Sequence, residues 1–153
     1  MVITRLQSLT DNQLHDILTL MHELDPEITV TPEMVRCAVE APGTCFFALM
    51  DEAQADATPA AAARIVGCAS LCVFHSPTGC KAHIEDVVVL AEYRGRQLGR
   101  RMVEHLIEYA RTELKNVDLY LTSRPHRVAA NELYQSLGFR RKGTNVYKLE
   151  IRE

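Results

Sequence analysis

The sequence has no excess of basic charge. Lysine and arginine number 17 against 20 aspartates and glutamates, giving a formal net charge of −3 and a pI near 6.1. Proteins that grip nucleic acid ordinarily carry the opposite balance, to pair with phosphates, so no nucleic-acid partner is expected. No apolar run approaches the length of a bilayer span, and no membrane partner is expected either. The first residues, Met1-Val2-Ile3-Thr4-Arg5, lack the basic start, apolar stretch and small-residue cleavage site of a secretory signal. A cytoplasmic protein is therefore expected. Five cysteines (Cys37, Cys45, Cys68, Cys72 and Cys80) are an odd number and fit free thiols in a reducing compartment. Cys68, Cys72, His75, Cys80 and His83 lie near one another in sequence but lack the paired short spacings of a zinc site, so no metal is expected. No internal repeat is present.

What the chain does have is enough length for one domain. Its 153 residues, 47% hydrophobic and 24% charged, can bury a core without disulfides or metal. A single domain over 1–153 is expected. Val2 to Gln7 reads as a short strand. Thr10 or Asp11 then caps a helix in which Leu14, Ile17, Leu18, Met21 and Leu24 recur at helical spacing, up to Pro26. Thr31-Pro32-Glu33 starts a second helix, with proline at its first position, running to about Ala41. Thr44 to Met50 is a strand, and the alanine-rich stretch 51–63 reads as a loop. Arg64 to Phe74 and Lys81 to Leu90 form a hairpin around Ser76-Pro77-Thr78-Gly79. Leu98 to Leu114 is a long amphipathic helix, Val117 to Thr122 a buried strand, and Val128 to Leu137 a short helix stopped by Gly138. Phe139 onward, through Val146 to Ile151, is expected to supply a last strand pair. This order predicts an α/β domain with a mixed, mostly antiparallel sheet flanked by helices.

The informative segment is Ile84 to Met102, IEDVVVLAEYRGRQLGRRM. A strand ends at Leu90, and Arg94-Gly95-Arg96-Gln97-Leu98-Gly99 opens the long helix. Glycine lets backbone approach a ligand closely. The first helical turn offers unpaired N–H groups and the positive end of the dipole. Arg94, Arg96, Arg100 and Arg101 add full charges. Such a turn makes an anion site suited to a pyrophosphate. It is neither the G-x-G-x-x-G dinucleotide fingerprint nor a P-loop.

These residues resemble the acetyl-CoA motif of the GCN5-related N-acetyltransferase superfamily, [QR]-x-x-G-x-[GA] after a strand and at the start of a helix. Arg94 matches the first position and Gly99 the last, while Gln97 replaces the middle glycine. The segment Leu119 to Phe139, LYLTSRPHRVAANELYQSLGF, is similar to the superfamily's later strand, helix and LY-x-x-x-GF signature. The resemblance implies the acyl-CoA N-acyltransferase fold and acetyl-CoA as co-substrate, lying between two splayed strands, here Lys81–Leu90 and Val117–Thr122. It further implies that main-chain groups of Val87, Val88 and Val89 pair with the pantetheine. N–H groups of the loop and first turn, through Gly95, Arg96, Gln97, Leu98, Gly99 and Arg100, would hold the pyrophosphate. Asn131 would hydrogen-bond the pantetheine arm, and Tyr134 would stand near the sulfur.

An amine attacking a thioester needs three services. The developing oxyanion needs a donor, and the N–H of Val87 or Val88 can supply it. The departing thiolate needs a proton or hydrogen bond, which the Tyr134 hydroxyl can provide. The ammonium must lose a proton. Glu85 is the first choice as base, acting directly or through water. His83 has the better intrinsic pKa but sits further along the strand. Alternation places His83 and Glu85 on one face and Asp86 on the other, where it can orient backbone.

The acceptor is expected to be a small-molecule or peptide amine. HIEDVVV followed by RGRQLG is similar to glucosamine-6-phosphate N-acetyltransferases, including the glutamine. The tail TNVYKLEI lacks the arginine that family places near the sugar phosphate. Ribosomal-protein alanine acetyltransferases resemble the second half but carry glutamate where this chain has Thr122. A non-catalytic CoA-binding regulatory domain is the reading from another class. The exposed strands and the C-terminal pair would suit a homodimer.

Overall fold

The computed structural model describes residues 1–52 and 63–151. The expected alanine-rich loop falls almost wholly on 53–62, outside the described residues. Two compact units divide the chain, Met1–Thr122 and Ser123–Glu153.

The first unit holds a five-stranded sheet in sequence order: β1 (Val2–Leu6), β2 (Thr44–Asp51), β3 (Arg64–Ser76), β4 (Gly79–Val89) and β5 (Val117–Tyr120). The first three pairings are antiparallel, and β4 with β5 is parallel. The mixed, mostly antiparallel sheet is as expected. Helix α1 (Asp11–Leu24) follows β1, and α2 (Pro32–Glu40) precedes β2. Both start where local chemistry says they should. The Thr10 hydroxyl accepts from Gln13 N–H while the Gln13 side chain accepts from Thr10 N–H, and the Thr31 hydroxyl accepts from Met34 N–H. These bonds satisfy donors that a helix cannot satisfy itself.

Every residue of β3 from Ile65 to Leu71 is buried, the mark of a strand covered on both faces. Helices α1 and α3 (Leu98–Tyr109) pack on β3 and β4. The core joins Phe47, Leu49, Ile65 and Leu71 of the sheet to Ile17 and Leu20 of α1 and Met102 and Leu106 of α3, all at most 1% exposed. Beyond Leu71 the side chains of β3 become half-buried or exposed. The long helix is not uniform, since Ala110–Leu114 forms a π-helical turn ending in left-handed Lys115 and Asn116. Strand β5 is shorter than predicted and half-exposed, not buried.

Strand β4 carries a bulge. Its register on β3 shifts between Cys68 and Ser70, so that Asp86 and Val87 together oppose Ala69, and Asp86 adopts φ 53°. The extra residue bends and twists the strand. Nearby, a methyl group on Gly67 would sit 2.9 Å from the Val88 carbonyl oxygen and 3.2 Å from the Val89 side chain. The two strands approach here only because that group is missing. Gly67→Ala is therefore expected to cost about 1–3 kcal/mol, as overpacking does, seen as a lower midpoint in urea unfolding.

In the second unit, α4 (Val128–Ser136) ends in a left-handed Gly138 with φ 95°. Gly138 N–H donates to Gln135 O and Phe139 N–H to Tyr134 O, a Schellman stop. The Phe139 ring meets Tyr134 edge-on at 6.2 Å. The tyrosine, glycine and phenylalanine of the LY-x-x-x-GF run thus have a structural basis in the helix end itself. The strand pair expected after Phe139 is corrected: residues 139–151 contain no strand, and Val146, Tyr147, Leu149 and Ile151 are 78–88% exposed. Alternating apolar residues become a strand only where another backbone pairs with them.

Candidate active site

The parallel pairing of β4 with β5 runs from Cys80↔Val117 to His83↔Tyr120 and stops there. β4 continues to Val89. Leu90 N–H donates to Val66 O at 2.9 Å, so alternation turns the main-chain groups of Val88 toward β3 and those of Val87 and Val89 away from it. Val89 O is reached by Arg94 Nε at 3.1 Å on that outer side. Of the three valines, Val87 and Val89 thus have the orientation to meet a ligand laid along the strand; Val88 is directed inward.

A short turn of 3₁₀ helix, Ala91–Tyr93, leads into the loop and α3. Gly95 has φ 78° and Gln97 φ 56°. Gln97, standing where the resembling motif has glycine, occupies the left-handed conformation that glycine adopts without cost. That conformation costs a non-glycine residue roughly 1–2 kcal/mol. Gln97→Gly is expected to preserve or modestly raise stability, and Gln97→Val to lower it by at least about 1 kcal/mol, compared by thermal unfolding.

The start of α3 contrasts with those of α1 and α2. Among the described residues no side chain caps it, and its first turn contains no acidic residue. It contains Arg100 and Arg101 instead, cations at the positive end of a helix dipole, where they are disfavoured unless an anion joins them. A Cβ on Gly99 would meet no described atom within 4 Å, and no left-handed φ requires glycine there. The missing side chain therefore leaves the first-turn N–H groups open to approach from outside. That is the arrangement an anion needs.

The arginines themselves are engaged. Arg94 bonds Glu23 at 2.8 Å as well as Val89 O, tying the loop to α1 and to the end of β4. Arg96 lies over the Tyr93 ring at 5.3 Å, Arg100 bonds Glu104 at 3.3 Å, and Arg101 reaches Met1 O at 3.4 Å. Arg94 serves here as a brace for the loop. Of the positions expected to hold the pyrophosphate, Leu98, Gly99 and Arg100 place their backbone in the first turn of α3, at the positive end of its dipole.

His83 and Glu85 share a face of β4, their side chains 38% and 45% exposed, with His83 Nδ1 3.7 Å from Glu85 Oε1. Burial raises the Glu85 pKa above its ordinary value, the neighbouring Asp86 carboxylate raises it further, and His83 opposes them. A carboxylate so placed holds a proton more readily than an exposed one, which suits it to accept one from an ammonium. Asp86, exposed at the bulge, sits off that face. Of the other cysteine and histidine positions, Cys68 is buried, and Cys72 and Cys80 oppose His83 and His75 across the hairpin.

In the second unit, Asn131 Nδ2 donates to Arg124 O and Arg127 O, both at 3.0 Å. Its amide braces the turn before α4, leaving Oδ1 as the acceptor it can offer a ligand. Burial raises the Tyr134 phenol above its ordinary value, opposed by the Arg127 cation. The hydroxyl is protonated at neutral pH and is a donor.

Comparison with known proteins finds relatives in sequence and in fold. Glucosamine 6-phosphate N-acetyltransferase 1 of Oryza sativa subsp. japonica is 37% identical over 100 residues, covering 61% of this chain and 57% of that protein. The chain thus matches somewhat more than half the length of that curated relative. An acetyltransferase of Trypanosoma brucei is 26% identical, over 98% of this chain and 99% of its own, with a TM-score of 0.68. Arabidopsis thaliana NAA60, whose crystal structure contains a bisubstrate analogue, shares the fold at 18% identity and a TM-score of 0.69, over 91% of this chain and 84% of its own.

The five-stranded mixed sheet with its flanking helices is the fold of these acetyltransferase structures. The chain belongs to the Acetyltransferase (GNAT) family, whose profile matches residues 12–139.

Proposed function

We propose that this protein transfers the acetyl group of acetyl-CoA to a primary amine by direct attack. The observation that carries the reading is the open start of α3, an uncapped helix N-terminus with two arginines in its first turn and a glycine that leaves its N–H groups accessible. A pyrophosphate is an anion suited to such a turn. Leu98, Gly99 and Arg100 would hold it through their backbone, with Gly95 and Gln97 shaping the loop and Arg94 bracing it. The family profile runs through both units, which supports treating 1–153 as one catalytic domain.

In this reading, Val87 N–H donates to the thioester oxygen as negative charge develops there. Glu85 accepts the proton that the attacking ammonium must lose, and His83 beside it modulates that carboxylate. Tyr134 donates to the departing thiolate, a role that rests on the resemblance and on its protonated hydroxyl. Asn131 contacts the pantetheine through Oδ1.

Calorimetry is expected to show one acetyl-CoA bound per chain, unchanged by a chelator, and an amine panel scored by CoA release should show turnover. Absence of binding would remove the reading. Binding without transfer to any amine would leave a CoA-binding regulatory domain. The 37% identity with a glucosamine 6-phosphate N-acetyltransferase over 100 residues favours an amino sugar as a second acceptor class, and that sugar belongs in the panel.

A further inference from the structure

Three strands bring to one face a set of side chains that their spacing in sequence conceals. Residues directly opposite one another across paired strands share a face. Cys72 of β3 opposes His83 of β4, and His83 opposes Tyr120 of β5. One rung toward the hairpin turn, Phe74 opposes Lys81; one rung the other way, Ser70 opposes Glu85. The His83 imidazole stacks on Tyr120 at 5.4 Å and 24°, and lies 5.7 Å from the Phe74 ring. Phe74 is 45% exposed. A lone exposed apolar residue carries no message, but this one continues a wall of three rings. The Glu85 carboxylate flanks the wall, and Lys81 turns toward the hairpin tip, donating to the Ser76 and Thr78 hydroxyls at 2.6 and 2.5 Å.

We propose that Phe74, His83 and Tyr120 form the acceptor-binding wall of the enzyme and select a primary amine carried on a flat apolar body, an arylalkylamine, whose ammonium Glu85 holds. The proposal deepens the acetyltransferase reading and rests on it. Ring faces and edges pack on another ring, and their negative faces attract an ammonium. The carboxylate fixes which end of the amine points along β4. A phosphorylated amino sugar would bring a dianion to a face flanked by Glu85, and like charges at close range select against a partner. Phe74 and Tyr120 are thus specificity-determining residues, Phe74 on β3 outside both stretches that resemble the superfamily and Tyr120 on β5 at the start of the second.

The test compares phenethylamine with glucosamine 6-phosphate as acceptors for the wild type, Phe74→Ala, Tyr120→Ala and Tyr120→Phe, with acetyl-CoA affinity measured alongside by calorimetry. The wild type should show the higher kcat/KM for phenethylamine. Each alanine variant should raise the phenethylamine KM about tenfold, the scale on which apolar pockets discriminate, without changing acetyl-CoA affinity. Tyr120→Phe, which keeps the ring, should retain the wild-type KM. If thermal unfolding shows an alanine variant to be misfolded, Phe74→Leu makes the same comparison with apolar volume kept and the ring removed. Preference for glucosamine 6-phosphate, no turnover of phenethylamine, or an unchanged KM in folded ring-removing variants would overturn the wall while leaving acetyl-CoA binding intact. Failure of the wild type to bind acetyl-CoA would overturn the acetyltransferase reading itself.

Discussion

Gly99→Glu is expected to remove acetyl-CoA binding while the protein stays folded. A side chain at this position meets no described atom, so the fold gives it room. It would project from the first turn of α3, where the open N–H groups await an anion. A carboxylate there neutralises the helix dipole from within and faces the pyrophosphate at close range. Like-charge juxtaposition costs several kcal/mol, and each 1.4 kcal/mol is tenfold, so affinity should fall by about 10²-fold or more. Gly99→Ala separates the two contributions. Replacing a helical glycine by alanine adds up to about 1 kcal/mol of helix stability, so that variant should unfold no more easily than wild type. Its affinity should still fall, by less than that of the glutamate variant, because the methyl group alone keeps the ligand at a distance. Calorimetry and circular dichroism on the two variants read both effects. Normal binding by a folded Gly99→Glu protein would mean that the anion lies elsewhere.

The second large effect is expected at Tyr134. Tyr134→Phe keeps the ring and its edge-on contact with Phe139, so stability should barely change. What disappears is a donor that matters chiefly as the thiolate departs. Interactions made only in the transition state lower kcat and leave ground-state binding alone. General-acid assistance is worth about 10²–10⁴-fold, and a kcat loss in that range is expected with acetyl-CoA affinity preserved. Glu85→Gln should behave differently. As the base, Glu85 must be ionised, so wild-type activity should rise as pH climbs through its raised pKa. The glutamine variant loses that limb and turns over slowly at every pH. Paired pH–rate curves decide between the roles. Full activity in Tyr134→Phe would reduce that tyrosine to helix packing, and an unaltered profile in Glu85→Gln would move the base elsewhere.

Features set by neighbours along the chain were legible in the sequence. Thr10 and Thr31 cap helices because a hydroxyl reaches an N–H three residues on, and nothing distant is needed. Gly138 stops α4 because the stop needs a left-handed residue. The turn at Arg94–Gly99 was legible for the same reason, being a strand end, a glycine and a helix start in one short run. Gln97 was recognisable as the misfit in that run, and the structure gives it the left-handed backbone that the replaced glycine would have had.

What the tertiary structure decided depends on pairing between distant strands. The bulge at Asp86 exists only in the register of β4 on β3, and it sets which valines turn outward. Period-two patterning cannot reveal one extra residue, because the pattern on each side of it still alternates. That Arg94, expected at the phosphate, also braces the loop was decided by α1, which brings Glu23 within 2.8 Å of it. The C-terminal run alternates like a strand, yet a strand requires a partner backbone, which no local pattern supplies. Phe74 and Tyr120, 46 positions apart in the chain, become members of one ring wall only through His83, which one neighbours across the hairpin and the other across a parallel crossover. Local chemistry determined the caps, the stops and the glycine-containing turn into α3; the long-range register determined which side chains stand beside one another.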